Sequence, residues 1–165
     1  MRIIGIDPGN SGGMAFFMPE VYAPIVHKFD GMTEQEIAAH LEEFMLGRGG
    51  MPVFCYIERV GPNRGPGGRA QGATSMFTFG QSYGFLRGVL IALNIPFEEV
   101  SPQKWQGAFS LKRTDKEESI TDKKNRHKSK AQQLWPVLKI THWNADALLI
   151  GEYGRRLRSS VTTTN

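Results

Sequence analysis

Four polar residues stand where the hydrophobic pattern calls for apolar ones or for a boundary. Asp7 closes the apolar run Ile3-Ile4-Gly5-Ile6, and Glu58 closes Val53-Phe54-Cys55-Tyr56-Ile57. His142 and Asp146 lie four residues apart at the opening of a helical stretch and therefore share a face. Ile150 and Tyr153 continue that face, so it packs inward. A carboxylate turned toward a core is costly unless a cation or hydrogen bonds compensate it, and three at one spot repel. A divalent cation resolves the conflict. Oxygen-rich ligand sets suit Mg²⁺ or Mn²⁺, and two such ions about 4 Å apart activate a water and stabilise the leaving oxygen in phosphodiester hydrolysis. Each residue also has a plainer role open to it. Asp7 suits the first acceptor of the Pro8-Gly9 turn, Glu58 an ion pair with Arg59 or Arg64, and His142 a helix cap. Asp146 is the hardest of the four to explain in this way, because it interrupts an apolar helix face.

The elements that must position these residues are legible in the pattern. Arg2–Asp7 reads as a buried strand, Met14–Met18 as a second and Tyr22–Phe29 as a third, joined by short turns into an antiparallel meander. Thr33-Glu34-Gln35-Glu36 fits a capping box, and Ile37, Ala38, Leu41, Phe44 and Met45 follow at helical spacing. Val53–Glu58 is apolar until its last residue, as in a strand covered on both faces and parallel to the first. Ser75–Asn94 resumes a helix. Its Gly80, Gly84 and Gly88 fall on one face, which predicts close approach to another backbone. Pro96–Val100 is a last strand, Ser101-Pro102 opens a short helix, and Trp143–Leu157 is the final helix. Lys112–Lys130 carries eight basic and four acidic residues, and reads as loop or frayed helix until a helix starts near Lys128 and ends by Pro136. The pattern gives one mixed-sheet α/β domain over residues 1–158, with residues 159–165 as a disordered tail.

Composition narrows the function classes. At 165 residues, with 40% apolar residues and one cysteine, the chain is expected to form a single domain without disulfides or a multi-cysteine zinc site. No apolar run approaches the roughly 18 residues a membrane span needs, and the N-terminus runs into a strand-like segment. No leader, anchor or membrane partner is expected, and the compartment expected is cytoplasmic. The net charge of +4 is divided: residues 1–58 carry −5 and residues 59–165 carry +9. Such a division brings metal-binding carboxylates and a polyanion-binding surface together on folding, although a solvated imbalance with no partner has the same arithmetic.

Ile4-Gly5-Ile6-Asp7-Pro8-Gly9-Asn10-Ser11-Gly12, Tyr56-Ile57-Glu58, Ser101-Pro102-Gln103-Lys104-Trp105 and His142-Trp143-Asn144-Ala145-Asp146-Ala147-Leu148-Leu149-Ile150 occur in this order. In order and spacing they resemble the RuvC-type Holliday junction resolvases, most of all the compact phage-type members and their organellar relatives. The resemblance implies an RNase H-like fold: a five-stranded mixed sheet, its first three strands antiparallel and the rest parallel, flanked by helices. It implies a homodimer that nicks two opposed strands of a four-way DNA junction with Mg²⁺ or Mn²⁺, two ions per site, and no nucleotide cofactor. Asp7 and Glu58 match the first two metal carboxylates and Asp146 the last. His142 takes the remaining ligand position, where aspartate is usual. Lys130 matches a lysine kept near the site, and Gln106 departs from a lysine common after the tryptophan.

For DNA contact the sequence offers Arg59, Arg64 and Arg69 in the glycine-rich stretch after Glu58, together with Lys104. A second phosphate track is offered by Lys123, Lys124, Arg126, Lys128 and Lys130. Met76, Phe77 and Phe79 are candidates for a wedge at the junction centre or, more plainly, for core or dimer packing. Two rival readings remain. One is a catalytically silent junction-binding module, favoured by His142. The other is an actin-like or sugar-kinase ATPase, whose phosphate loop also follows a first strand but which normally needs two such domains.

Overall fold

The computed structural model describes residues 1–47, 50–61, 72–112 and 119–161. Strands β1 (Arg2–Asp7), β2 (Gly13–Phe17), β3 (Ile25–Lys28), β4 (Val53–Glu58) and β5 (Phe97–Val100) form one sheet in the order β3-β2-β1-β4-β5. The first three pair antiparallel; β1 with β4 and β4 with β5 are parallel. Helices α1 (Glu34–Leu46) and α2 (Ala73–Ala92) cover one face, and α3 (Pro102–Ala108), α4 (Ile120–Leu134) and α5 (His142–Val161) the other.

Side chains alternate across a strand, and here the alternation sorts the two cores. Ile4 and Ile6 of β1 and Val53, Cys55 and Ile57 of β4 pack with Leu41, Leu86 and Leu90 beneath α1 and α2. Ile3 and Tyr56 face the other way, into a core with Trp105, Ala131, Leu148 and Ile150. Asp7 is in step with Ile3 and Gly5, and Glu58 with Phe54 and Tyr56. Both carboxylates therefore leave the sheet on the α5 side.

Local chemistry sets the boundaries. Thr33 closes the expected capping box with Glu36 at the start of α1. The buried Arg2 guanidinium donates to the carbonyls of Phe44, Met45 and Met51, satisfying groups at the C-terminal end of α1 and tying it to the start of β1. Before α5, the Thr141 N–H donates to Asn144 Oδ1 at 2.8 Å, one half of a capping box. Cys55 is fully buried and its thiol pushed far up by that burial, which leaves it a packing residue.

Four sequence expectations need correction. The third strand spans only Ile25–Lys28 and not Tyr22–Phe29. The fourth helix starts at Ile120 instead of near Lys128, because Ser119 caps it by accepting from Asp122 N–H at 3.1 Å, and because His127 and Ala131 give it a buried edge. The last helix continues to Val161, past its expected end, so of the expected tail only residues 162–165 lie outside the described residues. Finally, no described atom lies within 4 Å of where a Cβ would stand on Gly80, Gly84 or Gly88. The close approach inferred for these glycines is not made among the described residues. Among the described residues, no helix is long and apolar enough to cross a membrane.

Candidate active site

The parallel register of β1 and β4 pairs Ile6 with Ile57, so Asp7 and Glu58 stand side by side at the carboxyl ends of neighbouring strands. Open α/β sheets bind ligands at this edge. Helix α5 brings Asp146 to the same place by lying directly on β1. A Cβ on Gly5 would overlap the Ala147 carbonyl oxygen and the Gly151 backbone, so only glycine admits the helix there. Gly12 is equally constrained, since a Cβ on it would overlap the Asp7 carbonyl oxygen and stand 3.2 Å from the Asp7 carboxyl carbon. The turn closes on itself, Gly12 N–H donating to the Gly9 carbonyl at 3.0 Å.

The three carboxylates are half-buried and feel one another. Burial raises the Asp7 carboxyl well above the ordinary range; the charges of Asp146 and then Glu58 raise it further, and Lys124 and Lys123 partly oppose them. Glu58 is also raised, first by burial and then by Asp146, while a hydrogen bond from Trp105 and the nearby Lys123 and His127 work against the rise. Trp105 Nε1–H donates to Glu58 Oε1 at 2.9 Å. His127 Nδ1 lies 2.7 Å from Asp146 Oδ1. Glu58 thus meets an indole from α3; of the two arginines the sequence offered it, Arg64 lies outside the described residues.

The histidine in contact with a site carboxylate is His127, a residue the sequence reading passed over. Its signal was present: His127, Ala131 and Leu134 recur at helical spacing inside an otherwise polar stretch. His142 is exposed, and its Nε2 is bonded at 3.0 Å to Asn125 Oδ1. Among the described residues, no three His, Cys, Asp or Glu side chains converge on a point one ion could occupy. The donor set still suits Mg²⁺, which is commonly held by one or two carboxylates and completes its octahedron with waters and substrate phosphate oxygens. The Asp7 carboxylate accepts no hydrogen bond among the described residues, which leaves its oxygens open to a ligand.

Asp7 and Glu58 open on a cleft of about 740 Å³, walled by Asn10, Ser11, Arg59, Thr78, Phe79 and Gln103. Arg59 is exposed in the cleft wall, and Lys104 on α3 is exposed. Arg64 and Arg69 lie outside the described residues. On α4, Lys123, Lys124 and Lys128 are exposed, whereas Arg126 is half-buried and donates to the Leu111 carbonyl at 2.9 Å. Lys123 and Lys124 precede His127 by four and three residues and so flank it. Lys130 shares the Lys123 side of the helix two turns on, about 10 Å along the axis. Phe79 lies against Gly9 as part of the cleft wall, while Met76 and Phe77 are exposed.

Two solved structures of Thermus thermophilus RuvC match this architecture. The first, RuvC in complex with a Holliday junction substrate, is 16% identical with a TM-score of 0.60, over 95% of this chain and 96% of that one. The chain has a RuvC-like fold. The second RuvC structure gives 16% identity and a TM-score of 0.55 over 96% and 97% of the two chains. No family model matches the sequence, and no curated protein matches it significantly. The RuvC-like sheet, with the antiparallel-then-parallel order expected from the sequence, is what holds Asp7 and Glu58 at one edge.

Proposed function

We propose that this protein is a metal-dependent, structure-selective endonuclease that resolves four-way DNA junctions by paired nicks in opposed strands. The observation that carries the proposal is the set of three mutually repelling carboxylates, Asp7, Glu58 and Asp146, at the carboxyl edge of a RuvC-like sheet beside exposed basic residues. These three would hold Mg²⁺ or Mn²⁺; His142 would join them only on leaving Asn125. The bound ions would supply Lewis-acid stabilisation of the charge that builds on the scissile phosphate. The chain's own groups do the rest. Asp7 and Glu58 accept hydrogen bonds from the attacking water and orient it, Lys123 and Lys124 counter developing negative charge, and Arg59, Lys104 and Lys128 grip the backbone.

Two opposed cuts require two sites, and α2 supports a homodimer. Phe77, Gly80, Gly84, Gly88 and Ile91 fall on one stripe of this helix. Phe77 and Ile91 are 68% and 62% exposed, and the glycines between them leave room for a second backbone. A silent junction-binding protein is the second reading, favoured by the His142–Asn125 bond. Asp146→Asn separates the two. On the nuclease reading it abolishes Mg²⁺-dependent cleavage while junction binding persists; a wild-type protein that binds junctions but never cuts them supports the silent one.

A further inference from the structure

We propose that Trp105 and His127 form a positioning pair that fixes the rotamers of Glu58 and Asp146 before any ion or DNA arrives. The inference deepens the nuclease reading and rests on it for the identity of the site. Trp105 is 0% exposed and His127 1%. Their rings meet edge to face, centroids 5.1 Å apart, and each ring spends its N–H on a different site carboxylate. An ionised carboxylate only accepts, so Nδ1 of His127 donates this bond and Nε2 takes no part in it. That Nε2 is buried without a described partner. The single hydrogen bond to Asp146 is therefore the one polar task the His127 ring performs among the described residues.

The geometry serves the site in a way that packing alone does not require. Each bond occupies one oxygen of its carboxylate, Oε1 of Glu58 and Oδ1 of Asp146, and leaves the other oxygen for a ligand. The two donors come from α3 and α4, so the pair also ties both helices to the carboxylates that β4 and α5 deliver. Hydrogen-bonding partners behind metal-binding groups typically contribute about 10- to 100-fold in affinity or activity.

The test measures Mn²⁺ binding by calorimetry or electron paramagnetic resonance without DNA, and cleavage kcat and KM separately. Trp105→Phe keeps the ring and removes the donor; His127→Leu removes a donor that His127→Asn restores near the Nδ1 position. The expected result is Mn²⁺ binding about tenfold weaker in Trp105→Phe and His127→Leu, with kcat reduced at least tenfold and KM within about threefold. His127→Asn should stay within about threefold of wild type in both. Equal Mn²⁺ affinity in folded Trp105→Phe and wild type overturns the proposal, as does a wild-type protein that binds no Mn²⁺ at millimolar concentration. Should these variants fail to fold, the wild type decides: its Trp105 indole N–H resonance should shift on Mg²⁺ titration while that of Trp135 stays, and an unmoved Trp105 signal overturns the pairing. A wild type that binds Mn²⁺ with the expected variant ranking but cuts no junction defeats the nuclease reading and leaves the positioning pair standing.

Discussion

A Cβ on Gly5 would stand 2.6 Å from the Cα of Gly151, so strand β1 and helix α5 touch backbone to backbone. This contact carries Asp146 to the strand end where Asp7 sits. Alanine at Gly5 must push the helix off the sheet, because the obstacle is main chain and cannot rotate away, and alanine at Gly151 would overlap the buried Phe17 ring. Gly5→Ala and Gly151→Ala should each destabilise the protein by about 2 kcal/mol or more in urea unfolding. A loss under about 0.5 kcal/mol would mean that the helix does not lie where the structure has it.

The exposed glycines of α2 predict the opposite sign. Nothing described obstructs a Cβ on Gly84, and alanine is favoured over glycine inside a helix by about 1 kcal/mol. Gly84→Ala should therefore stabilise the monomer while weakening self-association in sedimentation velocity, because it fills the seam a second copy would occupy. Unchanged association would remove α2 from the dimer.

The carboxylates predict a pH dependence. A carboxyl whose folded pKa is raised holds its proton at pH values where the unfolded chain has released it. Stability of the ion-free protein should consequently fall as pH rises from about 4 through the raised Asp7 value. Asp7→Asn removes this cost. In chelator its Tm should match wild type near pH 4 and exceed it by at least about 3 °C at pH 7.5. Added Mg²⁺ should raise the wild-type Tm and leave the variant unmoved.

The lysines of α4 are ranked by position. Lys124 and Lys123 act on Asp7, and Lys130 lies two turns beyond. Lys124→Ala should slow cleavage about 10- to 100-fold, with junction affinity changed far less and the slope of log K against log salt reduced by about 1. Lys130→Ala should cost under about threefold in rate. The reverse ranking would return the role to Lys130.

Much of this was legible in the chain because strands and capping boxes are written locally. Asp7 and Glu58 each end an apolar run, and period-two alternation alone places them on one side of a parallel pair. The Thr33 and Glu36 capping box is a four-residue signal. The start of α4 was harder to read because Lys112–Lys130 is so polar that only His127 and Ala131 mark its buried edge, and those positions gain meaning from α3 and α5, which the local sequence does not contain. For the same reason His142 looked like the site histidine from its spacing to Asp146. Only the packing of α4 against α5 brings His127 to that carboxylate and leaves His142 with Asn125.

The central claim is tested most directly by incubating the protein with an end-labelled four-way junction, with Mg²⁺ and with chelator, beside a linear duplex of the same sequence. The account predicts Mg²⁺-dependent nicks at symmetry-related positions in two opposed strands of the junction, with none in chelator and little on the duplex. Cleavage that persists without divalent ions, or that treats junction and duplex alike, would contradict it.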